Sequence, residues 1–131
     1  MNDIQVDFVE IGFRSYFHSS FHGSCFFTTE NFLQQLTIPA KLNLAVMINA
    51  AELIKLSDNN ISLSRLFVPA CDSCISLVRI AAHPSEIFSI SSSILELIDI
   101  GYKVAINIMQ ASQLDKLKVA DICNFVSTFN L

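Results

Sequence analysis

Apolar residues along this chain follow two rhythms, and the way the rhythms alternate predicts its architecture. Four short runs are rich in Val, Ile and Leu: IQVDFVEI (4–11), KLNLAVMI (41–48), ISLVRIAA (75–82) and YKVAINIM (102–109). Runs that are apolar on nearly both sides suit strands of a covered parallel sheet, which meet little water on either face. Between the runs the period lengthens. In PSEIFSISSSILELIDIG, Ile87, Ile90, Ile94, Leu97 and Ile98 share one side of a helix, with Ser89, Ser92, Ser93, Glu96 and Asp99 largely on the other. Pro84 and Ser85 suit its first turn, and Gly101 suits its stop. A second helix is predicted through SQLDKLKVADICNFVSTF, and a shorter one through TTENFLQQL with Thr29 as its cap. SDNNISLSRLFVPA reads as a turn followed by a helical turn that Pro69 ends.

Strands alternating with helices at the spacing of a βα unit predict a parallel α/β fold. Two architectures compete. An open doubly wound sheet usually carries a Gly-rich loop after its first strand, and glycines at 12, 23 and 101 form none. A (β/α)₈ barrel instead puts polar groups on inward strand positions and at the C-terminal strand ends. Period-two alternation sorts the strand residues accordingly. Glu10 shares a face with Phe8 and Gly12, opposite Val9 and Ile11; Arg79, Ala81 and His83 oppose Val78, Ile80 and Ala82. Met47 and Asn49 oppose Val46 and Ile48, and Asn107 goes with Ala105 and Met109, opposite Val104, Ile106 and Ile108. Each strand thus has one aliphatic face for helices and one face carrying polar or small residues. A charge turned inward needs a partner. Because alternate barrel strands fill the same interior layer, Glu10 and Arg79 are predicted to pair, within about 8 Å even with a water between them.

Composition narrows the function classes. Of 131 residues, 52% are hydrophobic and 15% charged, against roughly 45–50% and about 25% in ordinary globular domains. The excess implies apolar faces that meet something beyond these residues. A net charge of −4 with eight scattered Lys and Arg excludes a phosphate-binding surface for nucleic acid. Asn49, Glu52, Asp58, Arg79, Glu96 and Asp99 break the apolar runs before any reaches the ~18 residues of a membrane span. The opening MNDIQVDF has no basic segment of a signal peptide, so a cytoplasmic chain with reduced thiols is expected. Cys71 and Cys74 have C-x-x-C spacing but no second pair. His18, His22 and Cys25 lie close in sequence without a fourth ligand and read as a polar loop.

Four motifs in order, VEIGFRS, AVMIN, LVRIAAHPSEI and GYKVAINIMQAS, together resemble the second to fifth strands of the HMG-CoA lyase-like TIM barrels. This group is also called the pyruvate carboxyltransferase domain or the DRE-TIM metallolyases. Within it the 4-hydroxy-2-oxovalerate aldolase-like branch is most similar, with its E-[IL]-G-[FY], R-[IV]-A-x-H and G-[YF]-x-V-x-x-N-x-M strands. The resemblance implies a partial TIM (β/α)₈ barrel of about four parallel strands with flanking helices, one incomplete domain over residues 1–131. It implies an enzyme that makes or breaks a C–C bond on a 2-oxo acid, with Mg²⁺ or Mn²⁺ as Lewis acid. Glu10, Arg79 and His83 become the candidate catalytic residues, and Asn49 and Asn107 the candidate substrate-binding residues. Ser85 and Glu86 also match, although Glu86 equally suits a helix's first turn.

The metal ligands of that group sit in R-D-G and H-x-H motifs, and neither is found in this sequence. A divalent metal is therefore expected for the complete family domain and is not supported by this chain alone, which is expected to be inactive by itself. Self-association through open barrel edges is a further expectation. Two rivals stand beside the lyase: a non-catalytic, degenerate half-barrel acting as an interaction or oligomerisation module, and a thiol or metal module built on Cys71 and Cys74.

Overall fold

The computed structural model describes residues 6–129 and 131; residues 4 and 5 of the first predicted strand lie outside them. Among the described residues four strands, β1 (Phe8–Phe13), β2 (Asn43–Asn49), β3 (Ile75–Ala82) and β4 (Lys103–Ile108), form one sheet. All three pairings are parallel, and the strand order is the sequence order. A doubly wound sheet reverses its winding at a switch point, whereas a barrel wall keeps advancing in one direction, as here. Observed β3 spans the predicted residues, and β1 runs on to Phe13, beyond the predicted end.

Among the described residues five α-helices flank the strands: α1 (Ser24–Phe27), α2 (Glu30–Leu33), α3 (Ala50–Asp58), α4 (Ser91–Asp99) and α5 (Lys116–Ser127). Thr29 caps α2 as expected, its side chain accepting from the Phe32 N–H, and Asp115 caps α5 through the Lys118 N–H. Helix α4 starts later than its period predicts. The Glu86 carboxylate accepts from the His83 N–H at 2.8 Å, and the Glu86 N–H donates to the His83 carbonyl at 2.9 Å. This closed turn keeps Pro84 and Ser85 out of the helix, and a 3₁₀ turn at Ile87–Ile90 precedes α4. Glu86 is thus a turn-closing residue rather than a first-turn acid. At the other end Gly101, with φ +97°, takes the left-handed position of a Schellman stop. Its N–H donates to Ile98 O, and the Tyr102 N–H donates to Leu97 O.

The predicted face assignment holds for β2, β3 and β4. Val46, Ile48, Val78, Ile80, Ala82 and Val104 are buried together with Leu53 and Leu56 of α3 and Ile94 and Leu97 of α4. Each such Val, Leu or Ile side chain contributes about 1.5–3 kcal/mol by leaving water. On the opposite face Glu10, Asn49 and Asn107 are exposed, and Met47, Arg79 and Ala105 are partly so. That face is concave. The Lys103 ammonium of β4 lies over the Phe8 ring of β1 at 5.4 Å. In a flat sheet the two strands, three spacings of about 4.8 Å apart, would stand ~14 Å from each other.

Strand β1 departs from simple alternation. Its register with β2 shifts between Glu10 and Gly12: Glu10 faces Ala45, Gly12 faces Val46, and Phe13 faces Met47. Partners in neighbouring strands point to the same side of a sheet, so the bulge turns Gly12 to the helix-covered face and Phe13 to the concave one. Glu10 and Gly12 therefore do not share a face, contrary to the sequence expectation. The bulge also explains the glycine: a Cβ there would meet the Cys25 carbonyl oxygen of α1 at 2.0 Å. Arg14 follows on the helix side. It is 3% exposed, pairs with Glu30 at 2.6 Å and lies over the Phe67 ring at 5.3 Å. It also donates to the Leu66 carbonyl, while Glu30 accepts from Ser73 Oγ at 3.0 Å. Among the described residues no helix is long and apolar enough to cross a membrane.

Candidate functional site

The concave face carries the predicted ion pair. Arg79 Nε donates to Glu10 Oε2 at 2.6 Å, and Arg79 Nη2 donates to Glu10 Oε1 at 2.7 Å, a two-pronged contact from β3 to β1 across β2. Ala45, the β2 register partner of Glu10, is 3% exposed although it lies on the open face, while the β2 partner of Arg79 is Met47, two residues further along. The single methyl of Ala45 leaves room for the pair to close over β2. Hydrogen bonding to Glu10 raises the Arg79 pKa, with burial opposing it and the Glu10 charge adding to it, so the guanidinium stays charged. A guanidinium has five N–H donors in a planar fork. Glu10 occupies the Nε and Nη2 edge, and among the described residues no protein acceptor meets Nη1.

Sheet register lines up the remaining candidates. Arg79 stands between Met47 and Ala105, and one step further along the strands Ala81 stands between Asn49 and Asn107. Two carboxamides thus flank an alanine at the C-terminal strand ends, roughly 9–10 Å apart at two strand spacings. Barrel enzymes place their chemistry at this end. His83 lies just past β3 and is exposed; its ring makes no hydrogen bond to the described residues. It borders a cavity of about 530 Å³ between the segments following β3 and β4 and helix α5, together with Ser85, Gln110, Lys118 and Asp121. The structure therefore gathers Glu10, Arg79, Asn49 and Asn107 on one surface and puts His83 at its rim.

Three polar residues at work here, Glu52, Arg14 and Glu30, had no site role assigned from the sequence. Glu52, in the first turn of α3, accepts from Ser15 Oγ at 2.9 Å and from the N–H groups of Tyr16 and Phe17. It ties the loop after β1 to the first turn of α3, next to the Asn49 end of the row. Arg14 and Glu30 form the buried pair behind the sheet. For Glu52 the available signal was an acid two residues into a helix that begins directly after a strand.

Among the described residues no three His, Cys, Asp or Glu side chains gather into a group able to hold an ion. Glu10, the carboxylate of the concave face, is engaged by Arg79, so these residues do not fit a resident divalent metal. His18 and His22 pack against Phe26, with ring centroids 4.6 and 5.0 Å from it, as members of an aromatic cluster. Cys25 lies in α1 rather than in a loop. Cys71 and Cys74 are exposed in the turn ahead of β3, at the end of the sheet away from the asparagine row.

No protein-family model matches the chain, and no curated protein does. Among solved structures it is similar to one described as "the N-terminal domain of a putative aldolase from Bacteroides vulgatus", with a TM-score of 0.71 at 22% sequence identity. The likeness covers 86% of this chain and 36% of that one, so the chain spans about a third of the length of the structure it matches. At this identity the likeness is one of fold: an α/β wall of four parallel strands, as found in an aldolase domain.

Proposed function

We propose that this chain forms the part of an aldolase-type barrel that binds a small 2-oxo acid during cleavage or formation of a C–C bond. The observation that carries the reading is the Arg79 guanidinium, fixed by Glu10 along one edge and unmet at Nη1, directly below a row bearing two carboxamides. Such a fork suits a carboxylate, and the amides of Asn49 and Asn107 suit the oxo and hydroxyl oxygens of a short acid. Lying on strands rather than loops, these groups are held in place before a ligand arrives.

In the cleavage direction, a base takes the proton of the 4-hydroxyl group. The C3–C4 bond then breaks, releasing an aldehyde and leaving the electron pair as the enolate of the 2-oxo acid, which is protonated at C3. Arg79 holds the carboxylate beside the growing enolate charge. Glu10 acts through Arg79 as a positioning residue. His83, at the rim, is the group for proton transfer. A divalent metal, expected in the wider family, would draw its ligands from outside the described residues, and no step here runs through one. The cytoplasmic expectation suits a soluble metabolite as substrate.

The test is titration of the chain with pyruvate, followed by NMR of the side-chain amides. The reading predicts saturable shifts at Asn49 and Asn107, and at least tenfold weaker binding in Arg79→Met, since hydrogen bonds to a charged group contribute about 1.5–3 kcal/mol. Shifts that persist unchanged in Arg79→Met would overturn it.

A further inference from the structure

The sheet is a barrel wall with two unpaired edges. Among the described residues β1 pairs only with β2, and β4 only with β3. Four strands are half of an eight-stranded barrel, and the wall already curves enough for Lys103 of β4 to reach Phe8 of β1. We infer that two copies of this chain close a barrel, β4 of each copy pairing in parallel with β1 of the other about a twofold along the barrel axis. This inference rests on the fold and does not depend on the aldolase reading.

Three observations favour a second copy as the occupant. The first is strand parity: alternate strands fill one interior layer, and β1 of the second copy would stand in the place of a fifth strand. Its Glu10 then joins the layer that already holds Glu10 and Arg79. The completed layer reads Glu, Arg, Glu, Arg around the axis, alternating in sign and neutral in sum. The second is the spacer between those charges. The register partner of Glu10 on β2 is Ala45, and the register partner of Arg79 on β4 is Ala105, each a single methyl. Each charge thus has a single methyl as its partner on the next strand of the wall, while the partner of Arg79 on β2 is Met47.

The third is apolar matching at the C-terminal end of both edge strands. Beyond β1, Tyr16, Phe17 and Phe21 are exposed, Phe21 by 76%; beyond β4, Leu117 is 79% exposed and Val119 41%. Parallel pairing sets both groups at the same height. Exposed apolar clusters flanking an unpaired strand are costly in a monomer. An isologous dimer buries both groups twice.

The test is sedimentation equilibrium of the full chain over a concentration series, with hydrogen exchange on the same samples. The inference predicts the mass of two 14.6 kDa chains and concentration-dependent protection of amides in β1 and β4. Phe21→Asp and Leu117→Asp, both at strongly exposed positions, are each expected to raise the dissociation constant at least tenfold while leaving the monomer folded. A monomer at every concentration overturns the inference, as does a dimer that both variants leave intact or whose new protection lies outside β1 and β4. A dimer that ignores pyruvate removes the aldolase reading alone, and a monomer that binds pyruvate removes this inference alone.

Discussion

Arg14 and Arg79 carry the same side chain into opposite surroundings, and the contrast decides what each contributes. Arg14 and Glu30 are 3% and 20% exposed, whereas Arg79 and Glu10 are 31% and 34% exposed. Removing one partner of a buried pair strands a charge and costs about 3–5 kcal/mol, while a pair open to water contributes about 1 kcal/mol or less. Glu30→Gln is therefore expected to lower the denaturant midpoint far more than Glu10→Gln; equal shifts would contradict the burial assigned to Arg14. The reverse order holds for ligand binding, where Glu10→Gln loosens Arg79 and Glu30→Gln leaves it in place. Arg79 was legible in the sequence because β3 alternates without interruption from Leu77 onward, past the register shift at Ser76, so counting by twos puts it on the concave face. Arg14 was not legible, because the bulge at Ile11 shifts the count by one and moves it behind the sheet. The signal was Gly12 itself, since a glycine inside a strand often marks a bulge or a close backbone approach.

At the scale of elements, β2, β3 and β4 were readable from their Val- and Ile-rich runs to within two residues, because burial on one face and packing across the sheet leave little freedom of register. Helices were less so. α3 has nine residues, AAELIKLSD, which is too short for a persuasive period, and α4 was placed too early because a side-chain contact between Glu86 and His83 overrides the periodicity. The junction of α4 and β4 gives a pH prediction. Tyr102, 3% exposed, donates its hydroxyl to the Val68 carbonyl at 2.8 Å, and burial raises its pKa above the ordinary 10.0. The folded state thus holds the phenol proton more tightly than the unfolded state. Its contribution is fully present below pH 10 and is lost as pH rises through the folded value. Tyr102→Phe is expected to cost ~1 kcal/mol at neutral pH through the lost hydrogen bond, and to flatten the alkaline fall in stability. An alkaline limb of the same steepness in the variant would show that Tyr102 does not cause it.

At the scale of the whole molecule, α/β class and parallel order followed from the alternation of the two hydrophobic rhythms, and the polar residues in the strands marked which face was concave. A complete site could not be read from this chain, because a barrel interior is built by strands facing each other across an axis and four strands supply one side. The likeness to an aldolase domain covers 36% of that chain, in keeping with a wall rather than a closed ring. Everything proposed for the concave face depends on its curvature, which brings Glu10 to Arg79 and Phe8 to Lys103 over the intervening strands. The most direct measurement is the nuclear Overhauser effect between the Phe8 ring and the Lys103 side chain. Recording it with labelled chain diluted into excess unlabelled chain restricts it to contacts within one molecule. A curved wall predicts a clear cross-peak; a flat sheet, with the two strands ~14 Å apart, predicts none, and its absence would contradict the account.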